Sequence, residues 1–277
     1  MIISVSEFDI RQIADSGQCF RINKLDAAEA TDAVKYSVIH EGKYLEVCQK
    51  NSSLVELSCD EEEYEKIWKP YFDMDTDYKK IQNMIDSEDK FLLSAAEYGS
   101  GIRILKQEPW EMIISFIISQ RKSIPAIKSS IEKLCKMCGD RIEVSNGEYY
   151  AFPDAYKVAS LSLEHLNSCG MGYRSGYISS VARQVAQGDI DIYAWNSLSD
   201  DELLSELLKL RGVGAKVAGC VMLFGYYRVA AFPKDVWINR ALSEYYPKGF
   251  PFELYPSCAG IMQQYIFNYM RKKRLSV

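Results

Sequence analysis

An amine and a carboxylate at a fixed separation carry the clearest chemistry in this chain. Lys216 closes the segment Leu210-Arg211-Gly212-Val213-Gly214-Ala215-Lys216, and Asp235 follows it by nineteen residues within Phe232-Pro233-Lys234-Asp235-Val236-Trp237. A lysine attacks an electrophile only as the free amine. In the first turn of a helix the positive end of the macrodipole opposes the ammonium form, and burial adds to that opposition. A carboxylate at a helix N-cap satisfies backbone N–H groups and also lends negative charge to a cation developing nearby. Taken alone, the lysine segment fits a surface lysine touching phosphate equally well, and a capping aspartate is more often structural than catalytic.

Positioning these groups requires two helices and a tight turn. Leu203, Leu204, Leu207, Leu208 and Leu210 recur at helical spacing, and Ser199 with Glu202 three positions on forms a capping box, so a helix is expected over 200–210. Gly212 and Gly214 break it. A second helix is expected from Ala215, with Val217, Cys220, Val221 and Phe224 on one face. The unit reads as a helix-hairpin-helix at about 200–225. Backbone N–H groups of Gly212, Val213 and Gly214, with those of the second helix's first turn, are suited to phosphate oxygens. Cys220 falls one turn beyond Lys216 on the same face, and Gln263 and Phe267 share a face of a C-terminal helix by the same spacing.

These residues resemble a known family. Leu-x-Gly-Val-Gly-x-Lys-Val-Ala-x-Cys with a following Pro-x-Asp-Val resembles the helix-hairpin-helix-GPD superfamily of DNA glycosylases, in its 8-oxoguanine DNA glycosylase branch. Ser16-Gly17-Gln18-Cys19-Phe20-Arg21 is similar to the family's Ser-Gly-Gln-x-Phe-Arg segment, and Gly170-Met171-Gly172-Tyr173-Arg174 to its Gly-x-Gly-Tyr-Arg stretch. The stretch Ala259 to Phe267 resembles the helix that carries a base-reading glutamine and a phenylalanine. The likeness runs in order from about Phe8 to Phe267.

The resemblance implies an enzyme that flips a damaged base from duplex DNA into a pocket, because C1′ of a stacked nucleotide is out of reach. It implies Lys216 as the nucleophile, Asp235 as its electrostatic aid, Gln263 as the reader of the Watson–Crick edge, and Phe267 with Cys220 as the two sides of a sandwich. The carbonyl of Gly17 would accept the N7–H that 8-oxoguanine has and guanine lacks. Tyr173 matches the family's wedge tyrosine, and Arg174 beside it is expected on the DNA face. Several positions depart from the family pattern. Arg121-Lys122-Ser123 stands where the best-known members have Asn-Asn-Asn filling the gap left by the flipped base, and favours phosphate and stacking contacts. Ala126 replaces the arginine that reads the opposing cytosine, Trp237 a phosphate-binding histidine and Lys234 an aliphatic residue. Discrimination among opposing bases is therefore expected to be weak.

The net charge of −5 argues mildly against nucleic acid. However, Asp60 to Glu65 and Asp73 to Asp77 hold much of the acid, while Arg121-Lys122, Lys209-Arg211-Lys216 and Arg271-Lys272-Lys273-Arg274 form basic clusters. The eight cysteines include one pair at ligand spacing, Cys135 and Cys138, inside a helical pattern. No cofactor or metal is expected, and the cysteines read as reduced thiols. The longest apolar run, Met112 to Ile118, is too short for a membrane span, and no signal peptide is seen. An intracellular, monomeric protein with double-stranded DNA containing 8-oxoguanine as its partner is expected.

Residues 1–58 read as strands, with a hairpin at Glu41-Gly42-Lys43. Asp60 opens a helix through Trp68 that should close before Pro70, and from Pro109 the pattern is almost wholly helical, with Trp110 to Ile118 apolar all round and therefore central. The expected fold class is α+β, with a small antiparallel β-sheet N-terminal domain (1–104) followed by a mostly α-helical two-subdomain body (105–277). The nearest alternative activity is a monofunctional alkylpurine DNA glycosylase of the 3-methyladenine type, using Asp235 to help water attack and usually lacking a lysine at 216. A non-catalytic DNA-binding module explains the hairpin but not Gly17, Asp235 and Gln263 together.

Overall fold

The computed structural model describes residues 1–25, 33–144 and 147–275, the last three in backbone only. Lys273 and Arg274 of the C-terminal basic cluster therefore lie outside the residues whose side chains are described. Strands β1 (Ile2–Ser4), β2 (Ile22–Leu25), β3 (Val34–His40), β4 (Lys43–Gln49) and β5 (Leu54–Leu57) form one antiparallel sheet in the order β1-β5-β4-β3-β2. The β3–β4 hairpin is as expected: His40 pairs with Lys43 across a two-residue turn, and Glu41 and Gly42 take φ of 47° and 72°. Leu45 and Val47 point inward while Glu46 between them does not, the alternation that fixes register.

The N-terminal region is not all strand. Helix α1 (Ile10–Asp15) is capped by Asp9, whose side chain accepts from the N–H groups of Arg11 and Gln12, and it buries Ile10, Ile13 and Ala14 under the sheet. Six residues are too few for helical periodicity to show. The expected stop before Pro70 is also corrected. Helix α2 (Glu61–Glu63) passes through a π-helical turn (Tyr64–Trp68) into α3 (Lys69–Tyr71). Pro70 has no N–H to donate, and the backbone widens so that the Lys69 N–H reaches back five residues to the Tyr64 carbonyl.

The helical body comprises α4 (Tyr78–Gln82), α5 (Lys90–Tyr98), α6 (Pro109–Ser119), α7 (Ile124–Cys138), the ribbon β6 (Arg141–Ile142) and β7 (Tyr149–Tyr150), then α8 (Ala155–Ala159), α9 (Leu163–Ser168), α10 (Ser175–Ala186), α11 (Asp200–Lys209), α12 (Ala215–Gly225), α13 (Val236–Tyr245) and α14 (Ala259–Leu275). Helix α6 is central as its composition requires: Trp110 and Met112 through Ile118 are all buried, and α12 packs along it. Truncating Ile113 to alanine there should cost about 2–5 kcal/mol. Among the described residues no helix is long and apolar enough to cross a membrane.

Two apolar cores are distinct. One joins α1, the sheet, Trp68, Tyr71, Phe72 and Leu105; the other takes Phe20 and residues between Tyr78 and Met270. Tyr78, Ile85, Leu92 and Ile104 belong to the helical core, and α5 packs on α14, so residues 78–104 join the second core although they precede the long helices. Asp73 ties the two together. Fully buried at φ 53°, it accepts from the Tyr78 and Tyr227 hydroxyls at 2.9 and 2.6 Å, from Thr76 at 2.9 Å and from Lys106 at 3.0 Å.

Candidate active site

The hairpin is built from a capping box and two glycines. Ser199 and Glu202 bond reciprocally at the start of α11, and Glu202 reaches the Ser199 N–H at 2.9 Å. Gly212 sits at φ 87° against Tyr177, whose Cδ2 is 2.4 Å from where a Cβ would stand, so a side chain here is excluded twice. Gly214 is the N-cap of α12 and faces open space. The Val213 side chain is buried and its N–H is spent on the Leu210 carbonyl at 3.0 Å, so the expectation that all three hairpin N–H groups are free is corrected at Val213.

In the first turn of α12, Lys216 faces a cavity of about 500 Å³ that is also lined by Gly17, Cys220, Asp235, Gln263 and Phe267. Residues from the turn after α1, from α12, from the N-cap of α13 and from α14 therefore meet in one place. Lys216 is exposed at this cavity rather than buried, contrary to expectation, with Nζ 5.5 Å from the centre of the Phe116 ring. The hairpin turn lifts it clear of the core while Val217 and Ala218 behind it are buried. Asp235 caps α13, Oδ1 accepting from the N–H groups of Trp237 and Ile238, each at 2.9 Å.

The walls are fixed by their neighbours. Gly17 takes φ 75°, and an added Cβ would stand 3.4 Å from Phe267. Ser16 and Gln18 on either side are fully buried. Ser16 Oγ donates to the Ile13 carbonyl at 2.7 Å, and Gln18 donates to Ser16 Oγ and the Arg103 carbonyl, both at 2.8 Å, while accepting from the Leu105 N–H at 2.8 Å. The carbonyl between them is held by a saturated frame. Burial pushes the Cys220 thiol up to about 11, with Lys216 pulling it down and Asp235 up, so at neutral pH it is an uncharged wall and not a rival nucleophile. Gln263 donates Nε2 to the Pro233 carbonyl at 3.0 Å and is buried.

Known proteins resemble this chain in sequence and in fold. Residues 1–113 match the family model for the 8-oxoguanine DNA glycosylase N-terminal domain, and residues 114–248 that for HhH-GPD superfamily base excision DNA repair proteins. A probable N-glycosylase/DNA lyase of Methanothermobacter thermautotrophicus is 31% identical over 233 residues, covering 74% of each chain. The N-glycosylase/DNA lyase of Saccharomyces cerevisiae is 31% identical over 87% of this chain and 69% of its own. The Clostridium acetobutylicum 8-oxoguanine glycosylase/lyase, solved with duplex DNA containing cytosine opposite 8-oxoguanine, superposes with a TM-score of 0.88 at 33% identity, covering 99% of this chain and 98% of that one. The chain belongs to the 8-oxoguanine DNA glycosylase family. An Archaeoglobus fulgidus 3-methyladenine DNA glycosylase, at TM-score 0.73 and 17% identity, shares the fold.

The residues that family membership leads one to seek on the DNA side divide by exposure. Tyr173 is 54% exposed, edge-on to Tyr177, which packs against the hairpin. Arg174, expected on the DNA face, is buried beneath it. Its guanidinium lies 4.3 Å from the Tyr173 ring centre and donates to the carbonyls of Met171 and Gln120, so it packs beneath Tyr173 instead of reaching outward. Arg121 is exposed at φ 52°. Lys122 lines the cavity with Nζ bonded to Ser130 Oγ at 2.5 Å and the Gly170 carbonyl at 2.6 Å, and burial, with Arg174 and Lys133 nearby, lowers its pKa. Ala126 is exposed and brings no hydrogen-bonding side chain. Sequence reasoning missed Gln120, whose Nε2 donates to the Gly212 carbonyl at 3.0 Å while its own backbone carbonyl accepts from Arg174, joining the hairpin to the Tyr173–Arg174 turn. It also missed Phe116 and Gln264, which line the cavity from helices that read as core. Among the described residues no cluster of three or more His, Cys, Asp or Glu is placed to hold a metal.

Proposed function

We propose that this protein acts as a monomer on duplex DNA, excises 8-oxoguanine and nicks the abasic strand, with Lys216 as nucleophile. The Lys216 amine attacks C1′ of the flipped nucleotide, and the bond to the base breaks with its electron pair leaving on the base. The negative charge of Asp235 favours the cationic sugar of that transition state. The amine then opens the sugar to a Schiff base. Loss of a proton from C2′ expels the 3′ phosphate, and water releases the enzyme. Gly17 selects the lesion: its carbonyl accepts the N7–H of 8-oxoguanine, whereas guanine would set acceptor against acceptor, at a cost of about 1–3 kcal/mol. Gln263 reads the Watson–Crick edge between Phe267 and Cys220, and Tyr173 holds open the stack.

At the phosphates, the N–H groups of Gly212, Gly214 and the first turn of α12 serve with Arg121 and Lys122. Ala126 offers the opposing base nothing to bond, so partner choice is weak. The observation that carries this reading is the convergence of Gly17, Lys216, Asp235, Gln263 and Phe267, from four separated segments, on one cavity of about 500 Å³. Borohydride reduction on duplex DNA containing 8-oxoguanine tests it. The native protein should become covalently attached to the strand, and Lys216→Gln should release no base and form no adduct while still binding the duplex. An adduct of undiminished yield in Lys216→Gln would place the nucleophile elsewhere.

A further inference from the structure

Gln263 and Gln264 are consecutive, both line the cavity and both are buried, at 3% exposure each. An amide presents an acceptor at one end and donors at the other, and which end points where decides what it can read. Here the polarity is dictated by the backbone. The Pro233 carbonyl can only accept, so the Gln263 group facing it at 3.0 Å is Nε2, which turns Gln263 Oε1 the other way. Gln264 Nε2 donates to that Oε1 at 2.9 Å. The chain ends there, because Gln264 Oε1 is buried and accepts from no protein donor among the described residues.

An unpartnered buried acceptor costs stability, and a leucine of similar volume would remove that cost. We propose that Gln264 is a positioning residue: with Pro233 it locks the Gln263 amide in one of its two orientations, so that the pocket presents a donor and an acceptor in fixed order. With Oε1 toward Gln264 and Nε2 toward Pro233, the spare lone pair and spare N–H of Gln263 match an edge that carries a donor beside an acceptor. The N1–H and O6 of a guanine-type base form such an edge. With Gln264 replaced by an apolar residue, Gln263 is free at its Oε1 end and the edge is read less faithfully. The inference rests on Gln263 being the base reader.

The test uses the full-length protein and two substrates, a duplex containing 8-oxoguanine and one containing a preformed abasic site, where there is no base to read. Gln264→Leu should melt at the same temperature as the native protein or higher, excise 8-oxoguanine at least about fivefold more slowly in single turnover, and cleave the abasic strand at the native rate. Gln264→Glu is the second variant. An ionised carboxylate cannot donate to Gln263 Oε1 and a protonated one can, so its excision rate relative to the native protein should recover as pH falls. Excision at the native rate by Gln264→Leu, or equal losses on both substrates, overturns the proposal. If Gln264→Leu does not fold, a relative rate for Gln264→Glu that is independent of pH overturns it. A native protein inactive on both substrates would instead remove the activity on which the inference depends.

Discussion

Asp235 caps α13 and, in the function proposed above, also lends its charge to the reaction, and substitution separates the two. Asparagine is as good an N-cap as aspartate, and its oxygen can keep both bonds to Trp237 and Ile238, each 2.9 Å in the native protein. It carries no charge to set against a cationic sugar. Asp235→Asn should therefore melt within a degree or two of the native protein and bind lesion duplex normally, while its single-turnover excision rate falls by about 10²–10³. An unchanged rate would reduce Asp235 to a cap. At this scale the sequence was most legible where motifs are spaced along it: the lysine in a helix's first turn and the glycine of the Ser16-Gly17-Gln18 segment both line the one cavity. Phe116 and Gln264 escaped because an aromatic on an all-apolar helix and a glutamine beside another glutamine are indistinguishable from packing until the cavity is seen. Arg174 differs for the opposite reason. Its charge suggests DNA, and only the fold shows that the side chain is buried, with Nη1 and Nη2 on two carbonyls beside a tyrosine ring.

At the scale of elements, the hairpin is a device for close approach, and its two glycines are not equivalent. Gly212→Ala must push aside Tyr177, 2.4 Å from the new Cβ, and place alanine at φ 87°. A loss of about 1–3 kcal/mol is expected, with weaker binding to undamaged duplex because Tyr177 also supports Tyr173. Gly214→Ala meets nothing within 4 Å and loses only the better N-cap, a cost of about 0.5–1 kcal/mol, less than that of Gly212→Ala. Urea unfolding and duplex affinity for the two variants check this, and a fully stable Gly212→Ala would refute the tight-turn account. Helices with a wet and a dry face, such as α7 and α11, were legible from the apolar period alone. Helix α1 was not, at six residues, nor was the passage through Pro70, where the π-helical turn depends on backbone geometry that periodicity does not encode.

For the whole molecule, two buried titrating groups oppose one another. Burial raises Glu111 to about 7, only partly offset by Arg21, so its folded form holds a proton that the unfolded chain loses. Its contribution is fully present below about 4.5 and is lost as pH rises through 7. Burial lowers His40 to about 4, so the unfolded chain takes up a proton that the folded form refuses, and stability falls on acidification from about 6.5 towards 4. The two slopes overlap and offset each other, each amounting to at most about 3 kcal/mol. Glu111→Gln should unmask the histidine, with stability falling steadily on acidification. His40→Gln should show the reverse slope between about 4.5 and 7. Urea midpoints across that range read both, and parallel profiles for the two variants would contradict the assignment.

The cavity draws its parts from both cores. Gly17 follows α1, which is packed under the sheet, whereas Lys216, Asp235 and Gln263 ride on the helical core, and Asp73 is one knot between them, beside Phe20 seated in the helical core and Arg21 paired with Glu132. In the roles proposed for them, Gly17 as selector and Lys216 as nucleophile therefore sit on segments that leave different cores. A disturbance that slackens these ties without melting either core would leave the amine and its carboxylate in register and let the Gly17 carbonyl drift from the base. Such a molecule would be an error-prone enzyme before it became an inactive one, still attacking sugars but no longer asking whether the base above them was damaged.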